Sequence, residues 1–338
     1  MFQGHGDDGY LFNQPLKADF STNVWEGGSP AGLKDYVFSQ WDKVHRYPEV
    51  LAESLTKKIA ANYDFDEDNV LVTNGSTESI YLIAQAFKTS RSAIVIPAFA
   101  EYEDACRMHD HELSFLHWDE FKEGNLPKDG LLFICNPNNP TGAVITDLEL
   151  YVKKYKELLF IVDEAFIEFT LSITSIIGLT QKYDNVVVMR SMTKAYAVPG
   201  LRLGYIIAHP ALIQRFKALK LPWSVNVLAL EAGHFIFEHS KNIQLPIRQM
   251  LQDKEGFMAA LAGMPILIHP GHTHFFLAEL TAGTAAELKL FLLEKFSLLI
   301  RDASNFRGLS PQFVRIATLS AVKNNLLINA LSEWKRIV

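Results

Sequence analysis

Lys194 closes the run Arg190-Ser191-Met192-Thr193-Lys194, and Arg202 follows within Pro199-Gly200-Leu201-Arg202-Leu203-Gly204-Tyr205. A primary amine beside the hydroxyls of Ser191 and Thr193, with a guanidinium close by in sequence, reads as a nucleophile next to an anion cradle. A lysine partly buried near another cation has a depressed pKa, which suits attack on a carbonyl and Schiff-base formation. Asn74-Gly75-Ser76-Thr77-Glu78 offers a second piece of the same cradle. At a helix N-terminus, Gly75, Ser76 and Thr77 present free N–H groups and hydroxyls to an anion. The same residues would also make an ordinary N-cap with Glu78 in the first turn.

Two further stretches carry chemistry. In Asn136-Pro137-Asn138-Asn139-Pro140-Thr141-Gly142, prolines and a glycine fix a rigid turn that can present the Asn139 amide to a ligand oxygen. In Asp163-Glu164-Ala165-Phe166, a carboxylate follows an apolar run, and burying it is costly unless a cation faces it. A protonated pyridine nitrogen would be one such partner; a neighbouring Arg or Lys would be another.

The elements that must position these residues are short apolar runs at 93–97, 131–135, 158–162, 186–189 and 203–208. Helical patterns at 76–87, 102–109 and 147–157 separate them. Strands buried on both faces and alternating with helices imply a mostly parallel sheet sandwiched by helices. Ligands of such sheets lie beyond the carboxyl ends of the strands, where the residues above fall. Past Trp223 the pattern becomes a long helical stretch, then runs at 273–279, 297–301 and 313–317, which reads as a smaller α+β domain. The expected division is an arm at 1–30 packing near the site, a large α/β domain at 31–225 and a small C-terminal domain at 226–338.

The chain has 338 residues, 49% hydrophobic and 21% charged, with a formal net charge of −6. That balance argues against a general nucleic-acid or anionic-membrane surface. No apolar run approaches the roughly 20 residues needed to span a bilayer. The beginning lacks a secretion signal, and Cys106 and Cys135 are too few for a disulfide framework, so a cytoplasmic location is expected. Gly4-x-Gly6-x-x-Gly9 matches a dinucleotide fingerprint only literally, since no strand precedes it and Asp7 and Asp8 would repel a pyrophosphate. The histidines at 109, 111, 269, 272 and 274 lack accompanying cysteines and have few acids, so no metal site is expected.

NGSTE, NPNNPTG, DEAF, SMTK and GLRLGY, in that order and spacing across residues 74–205, resemble the pyridoxal 5′-phosphate (PLP) dependent aminotransferase superfamily of fold type I. The resemblance implies that fold, PLP as cofactor, and Lys194 as the residue that carries it and moves protons at the substrate Cα. It implies that Asp163 pairs with the pyridine nitrogen and Asn139 bonds the ring's 3′ oxygen. Gly75, Ser76, Thr77, Ser191, Thr193 and Arg202 would hold the phosphate, and Tyr102 would stack on the ring. Tyr47 in Arg46-Tyr47-Pro48 would reach the phosphate of a partner copy, which implies a homodimer.

Gly4-His5-Gly6, Asp19-Phe20-Ser21-Thr22-Asn23, Ala98-Phe99-Ala100-Glu101-Tyr102 and Leu221-Pro222-Trp223-Ser224-Val225-Asn226 narrow the resemblance. They are similar to the members of the family that act on small phosphorylated amino acids. The implied reaction is decarboxylation of O-phosphothreonine in cobalamin side-chain synthesis. The alternative is transamination of histidinol phosphate or a similar compound with 2-oxoglutarate. Arg315 would bind the substrate carboxylate, with Asn139 beside it, and His5, Gly6, Asn23 and Arg301 the substrate phosphate. Two departures stand out. Phe166 replaces a tyrosine common in the aminotransferases, and Asp7 and Asp8 bring negative charge beside the proposed phosphate site.

Overall fold

The computed structural model describes residues 8–12 and 15–337. Its larger sheet is formed by β1 (Val70–Thr73), β2 (Arg91–Ile96), β3 (Glu112–His117), β4 (Gly130–Cys135), β5 (Leu158–Asp163), β6 (Val186–Ser191) and β7 (Gly204–Ala208). Their order across the sheet is β1-β7-β6-β5-β4-β2-β3. Only β7 runs against the others; the pairs from β6 to β3 are all parallel.

Alternation along each strand feeds two cores. Ile161 of β5 joins Phe133, Ile94 and Met189 under the helices Gly75–Ala86, Glu101–Met108 and Pro210–Lys217. Phe160 and Val162 face the other way, with Leu132, Val188 and Leu148 of helix Leu148–Lys154. β3 is an edge strand, and its polar, part-exposed residues lack the apolar signature of its neighbours.

The second sheet is antiparallel: β8 (Ile266–His269), β9 (Phe275–Leu280), β10 (Arg301–Asp302) and β11 (Phe313–Ala317), in the order β10-β11-β9-β8. Val314 and Ile316 of β11 point into a core with Phe276, Phe257 and Leu331, covered by helices Ile247–Ala260, Ala285–Phe296 and Ala321–Trp334. The strand period of two therefore turns Arg315 to the opposite face.

Three expectations shift. The run at 297–301 is two short pieces: Leu298–Leu299 pairs with Ala18–Asp19 of the arm, and Arg301–Asp302 joins the second sheet. The arm is part of the small domain's core, with Phe20 fully buried there. Helix Val227–Glu238 packs its Ala229, Ala232 and Ile236 against Leu55, Val72 and Ile207, so the large domain's core continues past residue 226. Among the described residues no helix is long and apolar enough to cross a membrane.

Candidate active site

The carboxyl ends of β4, β5 and β6 open on one cavity of about 310 Å³, closed on its far side by the small domain and the arm. Asp163 ends β5, Asn139 sits in the turn after β4, and Ser191, Thr193 and Lys194 follow β6. Ser76 and Thr77 enter from the start of helix Gly75–Ala86, and Arg202 from the turn before β7.

The anion cradle is built by close approach. Gly75 has φ +78°, and a Cβ there would stand 2.7 Å from Arg202 Nη2. A Cβ on Gly204 would stand 2.7 Å from the Ser76 nitrogen, so β7 can pass beneath the helix start only as glycine. Ser191 Oγ and Thr193 Oγ1 lie 2.9 Å apart, and no side chain caps the helix. A helix N-terminus, paired hydroxyls and a guanidinium form a donor set suited to a phosphate ester.

Asp163 is buried and accepts hydrogen bonds from the Tyr102 hydroxyl at 2.7 Å and the Ala165 N–H at 2.9 Å. Burial raises its pKa, while the Tyr102 and Ala165 bonds and then the Lys194 charge act to lower it. A buried carboxylate held above its ordinary range is a fitting partner for a protonated ring nitrogen. With the cradle and Lys194, these residues fit PLP.

Tyr102 takes a different position from the expected one. Its ring is 1% exposed and lies against Phe133, with centroids 5.7 Å apart, while its hydroxyl serves Asp163. Phe99, half-buried at the cavity wall and edge-on to Tyr102, is the better placed aromatic for the ring. Sequence reading missed it because two aromatics stand three residues apart and only the fold tells which faces the ligand. The Tyr102 bond predicts a pH effect. Tyr102→Phe removes a hydrogen bond worth about 1.5–3 kcal/mol to a charged group, so kcat should fall roughly 10- to 100-fold. Because the bond holds Asp163 down, its loss should also move the acid limb of the kcat profile to higher pH.

The small domain contributes two guanidiniums in register, Arg301 on β10 opposite Arg315 on β11. Arg315 is buried and donates to Asn139 Oδ1 at 2.5 Å and to the Ser21 carbonyl, both neutral acceptors. Burial and the Arg301 charge push its pKa down to about 9, against the pull of Asp19. Arg301 donates to Asn305 Oδ1 at 2.8 Å, and its guanidinium lies 5.3 Å from the Phe306 ring centroid. Burial lowers its pKa too, opposed by Asp302 and Asp8.

The arm crosses between these groups. Asn23 lines the cavity with its amide buried and both polar atoms unbonded to the described residues. Two residues on, the Trp25 N–H donates to the Lys194 carbonyl at 2.9 Å. Asp8 is ion-paired to Lys289, which compensates its charge beside Arg301. His5, Gly6 and Asp7 lie outside the described residues. Phe166 lines the cavity with its ring edge-on to Phe275. Tyr47 is not brought to this cavity: it is 85% exposed, with its ring 5.3 Å from Trp223. The histidines scatter, His272 to Ser172 and His274 onto Phe169, and no group of three or more metal-ligating residues assembles among the described residues.

The chain belongs to the class I and II aminotransferase family, whose model matches residues 21–332. This is a PLP-dependent family. The chain is 40% identical to L-threonine-O-3-phosphate decarboxylase from Porphyromonas gingivalis, whose crystal structure superposes with a TM-score of 0.90 over 94% of this chain and 99% of that one. It is 33% identical to threonine-phosphate decarboxylase from Salmonella typhimurium over 328 residues, covering 93% of this chain and 90% of that protein. The histidinol-phosphate aminotransferase of Clostridium acetobutylicum is 28% identical, with a TM-score of 0.87 over 95% of this chain and all of the other.

Proposed function

We propose that this chain is a PLP-dependent lyase that converts L-threonine O-3-phosphate to (R)-1-amino-2-propanol O-phosphate and CO2, a step of cobalamin biosynthesis. The observation that carries the reading is the pair of buried guanidiniums, Arg301 and Arg315, facing the cavity that holds Lys194. A substrate with a carboxylate and a phosphate ester needs two such cations a few ångströms apart. The similarity to two threonine-phosphate decarboxylases supports the same substrate.

PLP, when bound, supplies an electron sink for whichever bond to Cα lies perpendicular to its ring. The residues choose that bond. Arg315, fixed by Asn139 and the Ser21 carbonyl, takes the carboxylate in its fork and turns it. Arg301 and Asn23 hold the phosphate. The bond to the carboxylate carbon breaks, its electron pair stays on the Cα side, and the Lys194 ammonium returns a proton to Cα. Asp163 would hold the ring nitrogen protonated, Asn139 would bond the ring's 3′ oxygen, and Gly75, Ser76, Thr77, Ser191, Thr193 and Arg202 would grip the cofactor phosphate. Phe99 supplies the stacking face.

We assign Tyr47 to the cofactor phosphate of a second copy, in a homodimer. Its exposed ring packs on Trp223, itself part-exposed, and Phe38, Trp41 and Leu221 are further exposed apolar side chains that a second copy could cover.

The test is direct. Holoenzyme given O-phospho-L-threonine and no keto acid should release CO2 stoichiometrically with an amine product. Turnover only when 2-oxoglutarate is added would replace decarboxylation with transamination.

A further inference from the structure

The loop at 303–312 connects β10 to β11 and carries Asn305 and Phe306, the two side chains that flank Arg301. It leaves the small domain and lies against the large one. Gly308, at φ +87°, has His117 and Ile96 within 3.5 Å of its Cβ position. Beside it, Arg307 Nε and Nη2 donate to Glu103 Oε2 and Oε1, each at 2.7 Å. The guanidinium also rests 4.2 Å from the Phe115 ring centroid. Glu103 is 8% exposed and is steadied from within its own helix by Arg107 at 2.8 Å. That helix, Glu101–Met108, also bears Tyr102 and Glu101 at the cavity wall.

We propose that Arg307 and Glu103 form a clasp between the domains that sets the substrate-phosphate site, acting as positioning residues through Asn305, Phe306 and Arg301. The proposal rests on the reading that Arg301 binds the substrate's phosphate. A surface ion pair is ordinarily worth little. This one has the features that raise its value: a two-pronged fork, a sunken carboxylate and an aromatic ring under the guanidinium. Burial works to raise the Glu103 pKa, but the bonds and charges of Arg307 and Arg107 outweigh it and leave the carboxyl lowered. The clasp is therefore in place at neutral pH and is lost as pH falls through that lowered range. Asn305 and Phe306 directly precede Arg307 in the chain, so releasing the fork frees the two groups that aim Arg301. Arg315 is held by other partners and should not notice.

The experiment titrates holoenzyme with O-phospho-L-threonine and with L-threonine, reading cofactor absorbance and the ligand-induced rise in melting temperature. Arg307→Ala and Glu103→Gln should each weaken O-phospho-L-threonine binding about tenfold, roughly the value of one charge-assisted fork, and leave L-threonine within about twofold. Arg307→Lys, which keeps the charge and loses the fork, should fall between. Equal weakening of both ligands would show a merely structural contact, and unchanged binding in all three variants would show no role; either overturns the clasp. If the unaltered holoenzyme itself does not prefer the phosphorylated ligand, the reading of Arg301 fails first, and the proposal falls with it.

Discussion

Replacing Lys194 with alanine is expected to cut decarboxylation of O-phospho-L-threonine by at least about 10⁴-fold, since the proposed mechanism makes one side chain both covalent anchor and proton donor. The loss should come without unfolding. Lys194 is tied to the arm through its backbone carbonyl and the Trp25 N–H, a bond that any residue at 194 retains. The cofactor-free variant should still melt in one cooperative transition, and borohydride should fail to fix the cofactor to the chain. Activity within a hundredfold of the parent would remove Lys194 from the chemistry.

Asp163→Asn should act with opposite signs on activity and on stability. Activity should fall about 10²–10³-fold, as when a preorganised electrostatic group is removed from a reacting centre. The cofactor-free protein should become more stable at neutral pH. Asp163 is buried and its pKa is raised, so its favourable contribution is complete below the ordinary carboxyl range and is lost as pH rises through the raised value. Burial makes the charged carboxylate costly, and a neutral amide of the same shape avoids that cost, its one oxygen accepting from the Ala165 N–H while its NH2 turns to the Tyr102 hydroxyl oxygen. The gain should vanish as the pH is lowered. Melting curves of both cofactor-free proteins between pH 4 and 8 decide it; an equal gain at every pH would contradict the role given to burial.

What could be read from residues alone follows the physics of each segment. β4, β5 and β6 are legible because strands covered on both faces are continuous apolar runs, and the chemistry sits where such runs end. β3 has one part-exposed, polar-interrupted side and gives no such signal. Ser76, Asn139, Asp163 and Lys194 are legible because short-range motifs carry them, and the fold brings them to one cavity. Phe99 and Tyr102 could not be told apart, since the choice depends on which one meets Asp163 from a different strand. Arg307 carries no local mark at all. Its partner is far away in sequence, and long-range pairing has no period to read. Asp8 looked unfavourable beside a phosphate site because Lys289, which neutralises it, lies near the other end of the chain.

The path of the arm has a mechanical consequence. Within a few residues it passes from pairing with Leu298, through the carbonyl that steadies Arg315, to the peptide of Lys194. The distance between Arg315, proposed to grip the substrate's carboxylate, and Lys194, proposed to act at its Cα, is thus gauged by one short stretch of backbone. Because that stretch is anchored beside the second sheet at one end and on the peptide of Lys194 at the other, slippage between the two would alter the gauge, so bond selection depends on the arm keeping both anchors.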